Sequence, residues 1–146
     1  MPELDFMVVA DYVRAEGGVL HMIAAGFDTM AVPTVPAARA VGIGLRLLVD
    51  VAEARSQHRV ALIYLGTDGQ RLAEISGTLG SIGPDQPLPP EGKPFVVPMA
   101  FNLTLPVPAY GDYSLELFVD DQQEAVKSIT LTAVPMPVLP PLADHA

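Results

Sequence analysis

The stretch that decides the fold class is Ala40-Val41-Gly42-Ile43-Gly44-Leu45-Arg46-Leu47-Leu48-Val49. Val41, Ile43, Leu45, Leu47 and Val49 recur at every second position, the period of a strand with one face on a core. A helix would scatter the same side chains around its axis. The opposite face carries Gly42, Gly44 and Arg46, and glycine inside a strand marks a bulge, a bend or the close approach of another backbone. A bulge or bend is the first expectation for these glycines, and contact with another chain the second.

Towards the N-terminus, residues 6–13 (Phe-Met-Val-Val-Ala-Asp-Tyr-Val) are apolar on both faces, which predicts a central strand covered on two sides. Gly17 and Gly18 then suit a turn, and residues 19–27 read as the strand that returns from it. Pro33 and Pro36 mark a crossover loop.

Towards the C-terminus, residues 51–56 suit a helical turn or polar loop, and residues 58–65 a strand. Gly66-Thr67-Asp68-Gly69-Gln70 predicts a hairpin, because Asp-Gly tolerates the positive φ of tight turns. Its second strand is residues 71–78, where Leu72 and Ile75 are too irregularly spaced to fix a facing. Residues 81–93 hold repeated proline and predict a long exposed loop. Phe95, Val97, Met99, Phe101, Leu103 and Leu105 alternate in a strand that Pro98 pushes to an edge or into a bulge. Tyr113, Leu115, Leu117 and Val119 face inward in the next strand, the turn 120–123 leads to residues 125–133, and the three strands suggest a meander. The expected fold is therefore all-β: an antiparallel sandwich, immunoglobulin-like or C2-like, of about seven to nine strands. Residues 1–134 form its single domain, and residues 135–146, with Pro135, Pro137, Pro140 and Pro141, an extended tail.

Composition narrows the function classes. The 146 residues include no cysteine, which removes disulfides, thiolate nucleophiles and the usual zinc and iron–sulfur ligand sets. A formal net charge of -9 has the wrong sign for coating phosphate or an anionic membrane, so neither nucleic acid nor membrane is expected as a partner. The acidic start Met1-Pro2-Glu3-Leu4-Asp5 does not resemble a secretory signal, and cytoplasmic residence is the expectation. Charged residues make up only 17% of the chain and hydrophobic ones 50%, against about 25% charged in an average soluble domain. Some apolar surface is therefore expected in contact with another chain.

No catalytic constellation emerges. His21, His58 and His145 have no shared helical spacing, and each of the first two reads as a strand histidine with one hydrogen bond. Ile75-Ser76-Gly77 lacks the first glycine of a nucleophile elbow, and Gly42-Ile43-Gly44 lacks the rest of a dinucleotide fingerprint. Asp68, Asp112, Asp120 and Asp121 are the acids to consider for loop-bound calcium, but acids also favour turns for conformational reasons. The expectation is no enzyme, no cofactor and no metal.

Two stretches resemble a family of uncharacterised bacterial proteins grouped under a domain-of-unknown-function label. One is Ala10-Asp11-Tyr12, with Leu20 and Gly26-Phe27-Asp28 ahead of Pro33 and Pro36. The other is Leu105-Pro106-Val107-Pro108 followed by Gly111-Asp112-Tyr113 and the alternation to Val119-Asp120. The resemblance implies a β-sandwich and transfers no activity. The second stretch also resembles the penultimate hairpin of immunoglobulin-like domains, in which a tyrosine such as Tyr113 anchors a loop through its hydroxyl.

The leading functional expectation is a non-enzymatic protein-interaction module that forms a homo-oligomer or joins a larger complex. Gly42, Gly44, Arg46, Met136, Val138 and Leu139 are its candidate contact residues. The alternative is a small-ligand or carbohydrate-binding sandwich with a pocket at one loop end, although the aromatic fraction of 6% disfavours sugar stacking.

Overall fold

A computed structural model describes residues 1–79, 85 and 87–136. Among them are ten strands and no helix: β1 (Glu3–Ala10), β2 (Tyr12–Glu16), β3 (Val19–Ile23), β4 (Thr29–Val32), β5 (Ala37–Val49), β6 (His58–Leu65), β7 (Arg71–Leu79), β8 (Phe95–Val107), β9 (Gly111–Val119) and β10 (Lys127–Pro135). The described chain thus holds no helix long and apolar enough to cross a membrane.

The decisive alternation carries over directly. Val41, Ile43, Leu45, Leu47 and Val49 are at most 4% exposed and pack into one core between two sheets. One sheet has the order β1-β5-β8, the other β4-β10-β9-β6-β7, and β2-β3 form a separate pair. All pairings are antiparallel except β4 with β10. The orders β1-β5-β8 and β6-β9-β10 correspond to strands A-B-E and C-F-G of the immunoglobulin arrangement. The protein is an all-β sandwich with an extra hairpin, β2-β3, inserted early in the chain.

Several local expectations find a physical counterpart. Tyr113 is 1% exposed, and its hydroxyl donates to the Ala109 carbonyl at 2.6 Å, closing the corner before β9. Its ring stacks on Tyr64 at 5.3 Å, and the Tyr64 hydroxyl donates to the Pro106 carbonyl in the opposite sheet. Pro98 sits on the edge strand β8, where a missing donor costs no ladder bond. The turn 66–70 closes β6 onto β7, with Gly69 at φ +82° and Asp68 accepting from Gln70 N. A register shift between Tyr64 and Leu65 explains the irregular spacing of Leu72 and Ile75, because the partner strand β7 must absorb a change of face.

Other expectations change. The run 6–13 is not one central strand: β1 ends at Ala10, pairs only with β5, and forms an edge of its sheet. Its apolar character on both faces comes from cover above and below, not from neighbours on both sides. The returning strand ends at Ile23 and pairs with β2, while Gly26 N donates to Val9 O and Thr29–Val32 forms an added strand, β4, from which Pro33 and Pro36 cross to β5 in the other sheet. Strands β8, β9 and β10 make no meander, since β8 pairs with β5 and the corner at 108–110 carries the chain to the other sheet. Residues 51–56 form turns, with Glu53 N bonded to Asp50 O and Ser56 N to Glu53 O. Of the Pro-rich loop, residues 80–84 and 86 lie outside the described residues, as does the tail from 137 onward.

Candidate functional site

The hairpin β2-β3 is built by a short sequence signal. Gly17 and Gly18 both have positive φ (+61° and +77°), the conformation a two-residue hairpin turn requires and a side chain resists. The pairs Tyr12 with Ile23, Arg14 with His21 and Glu16 with Val19 alternate with Val13–Met22 and Ala15–Leu20. One face therefore turns towards the sheet and the other towards solvent.

The inward face lands on the glycines. A Cβ on Gly42 would lie 2.6 Å from Val13 N, and one on Gly44 3.1 Å from the Met22 sulfur and 3.2 Å from Val13 Cγ1. Gly42 has no room for a larger residue, because the hairpin backbone occupies the space, whereas a side chain at Gly44 would press on those of Met22 and Val13. Asn102, paired across the ladder from Gly42, completes the mount: its Oδ1 accepts from Val13 N at 3.1 Å and its Nδ2 donates to Val13 O at 2.7 Å. The side-chain amide thereby acts as a strand neighbour for Val13, which is 0% exposed. Burying that side chain stabilises the mount by about 1.5–3 kcal/mol. Arg39 fixes the strand exit through an ion pair with Asp11 at 2.8 Å while stacking over Phe27.

The outward face sets Tyr12, Val19 and Ile23 beside Arg14, Glu16 and His21, with Arg14 paired to Glu16 at 3.0 Å. Nine large hydrophobic residues are exposed among those described, and Tyr12, Val19, Met22 and Ile23 of this hairpin are four of them. Tyr12 and Ile23 stand opposite each other at 49% and 62% exposure. At the hairpin tip, Val19, Leu20, Met22, Phe6, Arg46 and Pro98 line a groove of about 180 Å³. Exposed Val96 continues the apolar surface on β8.

The contact residues expected from sequence fall in three places. Gly42 and Gly44 are buried under the chain's own hairpin, so the cover first sought from a bulge, a bend or another chain is intramolecular there. Arg46 borders the groove and pairs with Asp5 at 3.0 Å. Met136 is 49% exposed at the far end of the β4-β10 pair, with its N–H donated to Val32 O, whereas Val138 and Leu139 lie outside the described residues. Sequence reasoning misses Tyr12, because it ends the run 6–13 that is apolar on both faces, and Val19, Met22 and Ile23, because the returning strand 19–27 carries no alternation that fixes its facing. Its shortness after a Gly-Gly turn was the available clue.

A second feature lies between the sheets at the opposite end. A cavity of about 100 Å³ is lined by Val49, Ala54, Ser56, His58, Leu79, Phe95 and Val97. His58, 7% exposed, has both ring nitrogens engaged: Nδ1 with Asp120 Oδ2 at 2.8 Å and Nε2 with Glu53 O at 2.9 Å. Asp120 Oδ1 also accepts from Arg59 N, and Arg59 pairs with Asp121 at 2.8 Å. Asp112 accepts from Thr132, so the four acids considered for calcium are distributed over separate local partners. Among the described residues no three His, Asp or Glu side chains converge on a common point. His21 is exposed on the hairpin, and His145 lies outside the described residues.

No curated protein matches the chain. The model of a family described as "Family of unknown function (DUF6941)" matches residues 5–132, nearly the whole sandwich with its hairpin, and the chain belongs to that family.

Proposed function

We propose that this domain is a non-enzymatic, cytoplasmic interaction module that self-associates through the outer face of the β2-β3 hairpin and the apolar sheet surface beside it. The concentration of exposed Tyr12, Val19, Met22 and Ile23 on one firmly mounted hairpin carries this reading. Exposed large apolar side chains gathered in one element mark association sites, and aromatic and Met side chains are enriched where partners meet. The mount matters as much as the composition: Asn102 and the glycine floor hold the hairpin in one geometry, which lowers the ordering cost of binding. Net charge of -9 disfavours nucleic acid and anionic membrane as the occupant of this face.

Light scattering coupled to size-exclusion chromatography tests the proposal. The wild-type chain is expected to run above monomer mass, and the double variant Tyr12→Ser, Ile23→Ser as a monomer with unchanged melting temperature. A wild-type protein that stays monomeric at high concentration overturns self-association.

The apolar cavity beside His58 supports a second reading, a small-ligand-binding sandwich. Its size suits a small apolar group and not a sugar ring system. Thermal-shift screening with small apolar compounds separates the two readings, since a ligand that binds only the native state raises the melting temperature.

A further inference from the structure

Neutral imidazole carries one N–H and one lone pair, whereas imidazolium carries two N–H groups. His58 faces an acceptor at each nitrogen: the Asp120 carboxylate at Nδ1 and the Glu53 carbonyl at Nε2. Both contacts are hydrogen bonds only if the ring holds both protons. In the neutral ring one nitrogen lone pair must point at an oxygen, within a site where His58 is buried.

We infer that His58 is a proton-operated latch that ties residues 51–56 to the β9-β10 turn and releases them when the ring loses its second proton. The two sides of the latch are not equally firm. Asp120 is held from several directions: its N–H donates to Arg59 O at 2.8 Å, its Oδ1 accepts from Arg59 N, and it begins a turn in which Asp120 and Asp121 both have φ of 54°. A carboxylate also keeps a neutral Nδ1–H more strongly than a carbonyl keeps Nε2–H. The Glu53 side is a run of turns without a strand partner, and Glu53 O retains Ser56 N as a donor when His58 lets go. Deprotonation therefore frees residues 51–56, with the proton passing to solvent.

The charged groups around the ring are few. Asp120 faces it directly. Arg59, the next residue on β6, is turned to Asp121, and the Glu53 carboxylate is turned to the Met1 amine. Ala54 and Ser56 of the released segment line the cavity that His58 also lines, so the latch governs access to that cavity.

The test uses the full chain. Ring ¹⁵N resonances of His58, followed from pH 5 to 9, report the protons directly, and hydrogen exchange of residues 51–57, corrected for the intrinsic pH dependence, reports the release. The expected result is an imidazolium signature at the acid end, followed by a loss of protection of roughly tenfold in 51–57 as the ring deprotonates, the size of one charge-assisted hydrogen bond. His58→Gln abolishes the pH dependence of that protection. Asp120→Asn, which keeps the shape and removes the charge, weakens that pH dependence and serves as the measure if His58→Gln does not fold. A single neutral tautomer throughout the range, the same loss of protection in His58→Gln, or an unchanged pH dependence of protection in Asp120→Asn overturns the latch.

Discussion

The two sheets present opposite outer faces. On the five-stranded sheet the outward positions include Ser114, Glu116, Ser128, Thr130, Glu74 and Ser76 around the apolar Ile63 and Phe118, and the Ser114 and Ser128 hydroxyls meet at 3.0 Å in solvent. On the three-stranded sheet they include Phe6, Val8, Gly42, Gly44, Leu48, Pro98 and Ala100, with Arg46 and Asn102 the polar residues among them. The first face is finished by its own side chains. The second is finished by a hairpin laid on top of it, and that cover exposes Tyr12, Val19 and Ile23 on its far side. Apolarity is passed outward one layer, from sheet to hairpin, and the exposed layer is where another copy is proposed to bind.

The strongest way to break this contrast is to remove the space under the hairpin. Gly42→Val places a branched side chain where a Cβ alone already lies 2.6 Å from Val13 N, so the hairpin must lift. The expected cost is about 3 kcal/mol, from overpacking and the loss of Val13 burial. Denaturant unfolding measures it, and hydrogen exchange should show residues 12–23 losing protection first. Asn102→Ala is next. It leaves the N–H and carbonyl of buried Val13 without their amide partner, for about 2 kcal/mol. If either variant proves neutral, the hairpin rests on the sheet without being built into it.

The interior common to both faces responds to pH. Burial, together with the neighbouring Tyr113 phenol, pushes the Tyr64 hydroxyl well above the ordinary tyrosine value. The unfolded chain ionises Tyr64 near about pH 10, the folded chain only at higher pH. The folded state thus binds more protons above that point, and stability falls as pH rises from there towards Tyr64's own value. Tyr64→Phe should lose about 1 kcal/mol at neutral pH, through the bond to Pro106 O, and flatten this alkaline decline. Melting curves between pH 7 and 11 check both. A decline equally steep in Tyr64→Phe removes this residue from the explanation.

What the sequence made legible follows the range of the interactions. The inward run on β5, the Asp68-Gly69 turn and Pro98 at an edge are local, set by period, positive φ and a missing donor. The Tyr113 corner reaches only four residues, to Ala109. The mount and the latch are not local. Asn102 and Val13 are 89 positions apart, and His58 and Asp120 are 62 apart. Neither residue type carries a spacing signal, so only the folded register brings them together. Gly42 shows the boundary well: its sequence context puts a bulge or bend first and another chain second, whereas the register runs on without a shift and the approaching backbone is the chain's own.

The smallest expected effect on stability is the most informative about function. Ser114→Ala with Ser128→Ala removes one exposed hydroxyl pair from the polar face, and Tyr12→Ser with Ile23→Ser removes one exposed apolar pair from the hairpin. Both pairs are cross-strand neighbours on solvent faces, so each double variant should stay within about 0.5 kcal/mol of wild type. Their masses in solution should differ: the serine-to-alanine variant keeps the wild-type association, and the hairpin variant loses it. Equal masses would place the association elsewhere, with the Met136 end of the β4-β10 pair as the next surface to alter. Because folding is unchanged in both, a difference in mass belongs to the outer layer of the hairpin and not to the mount beneath it.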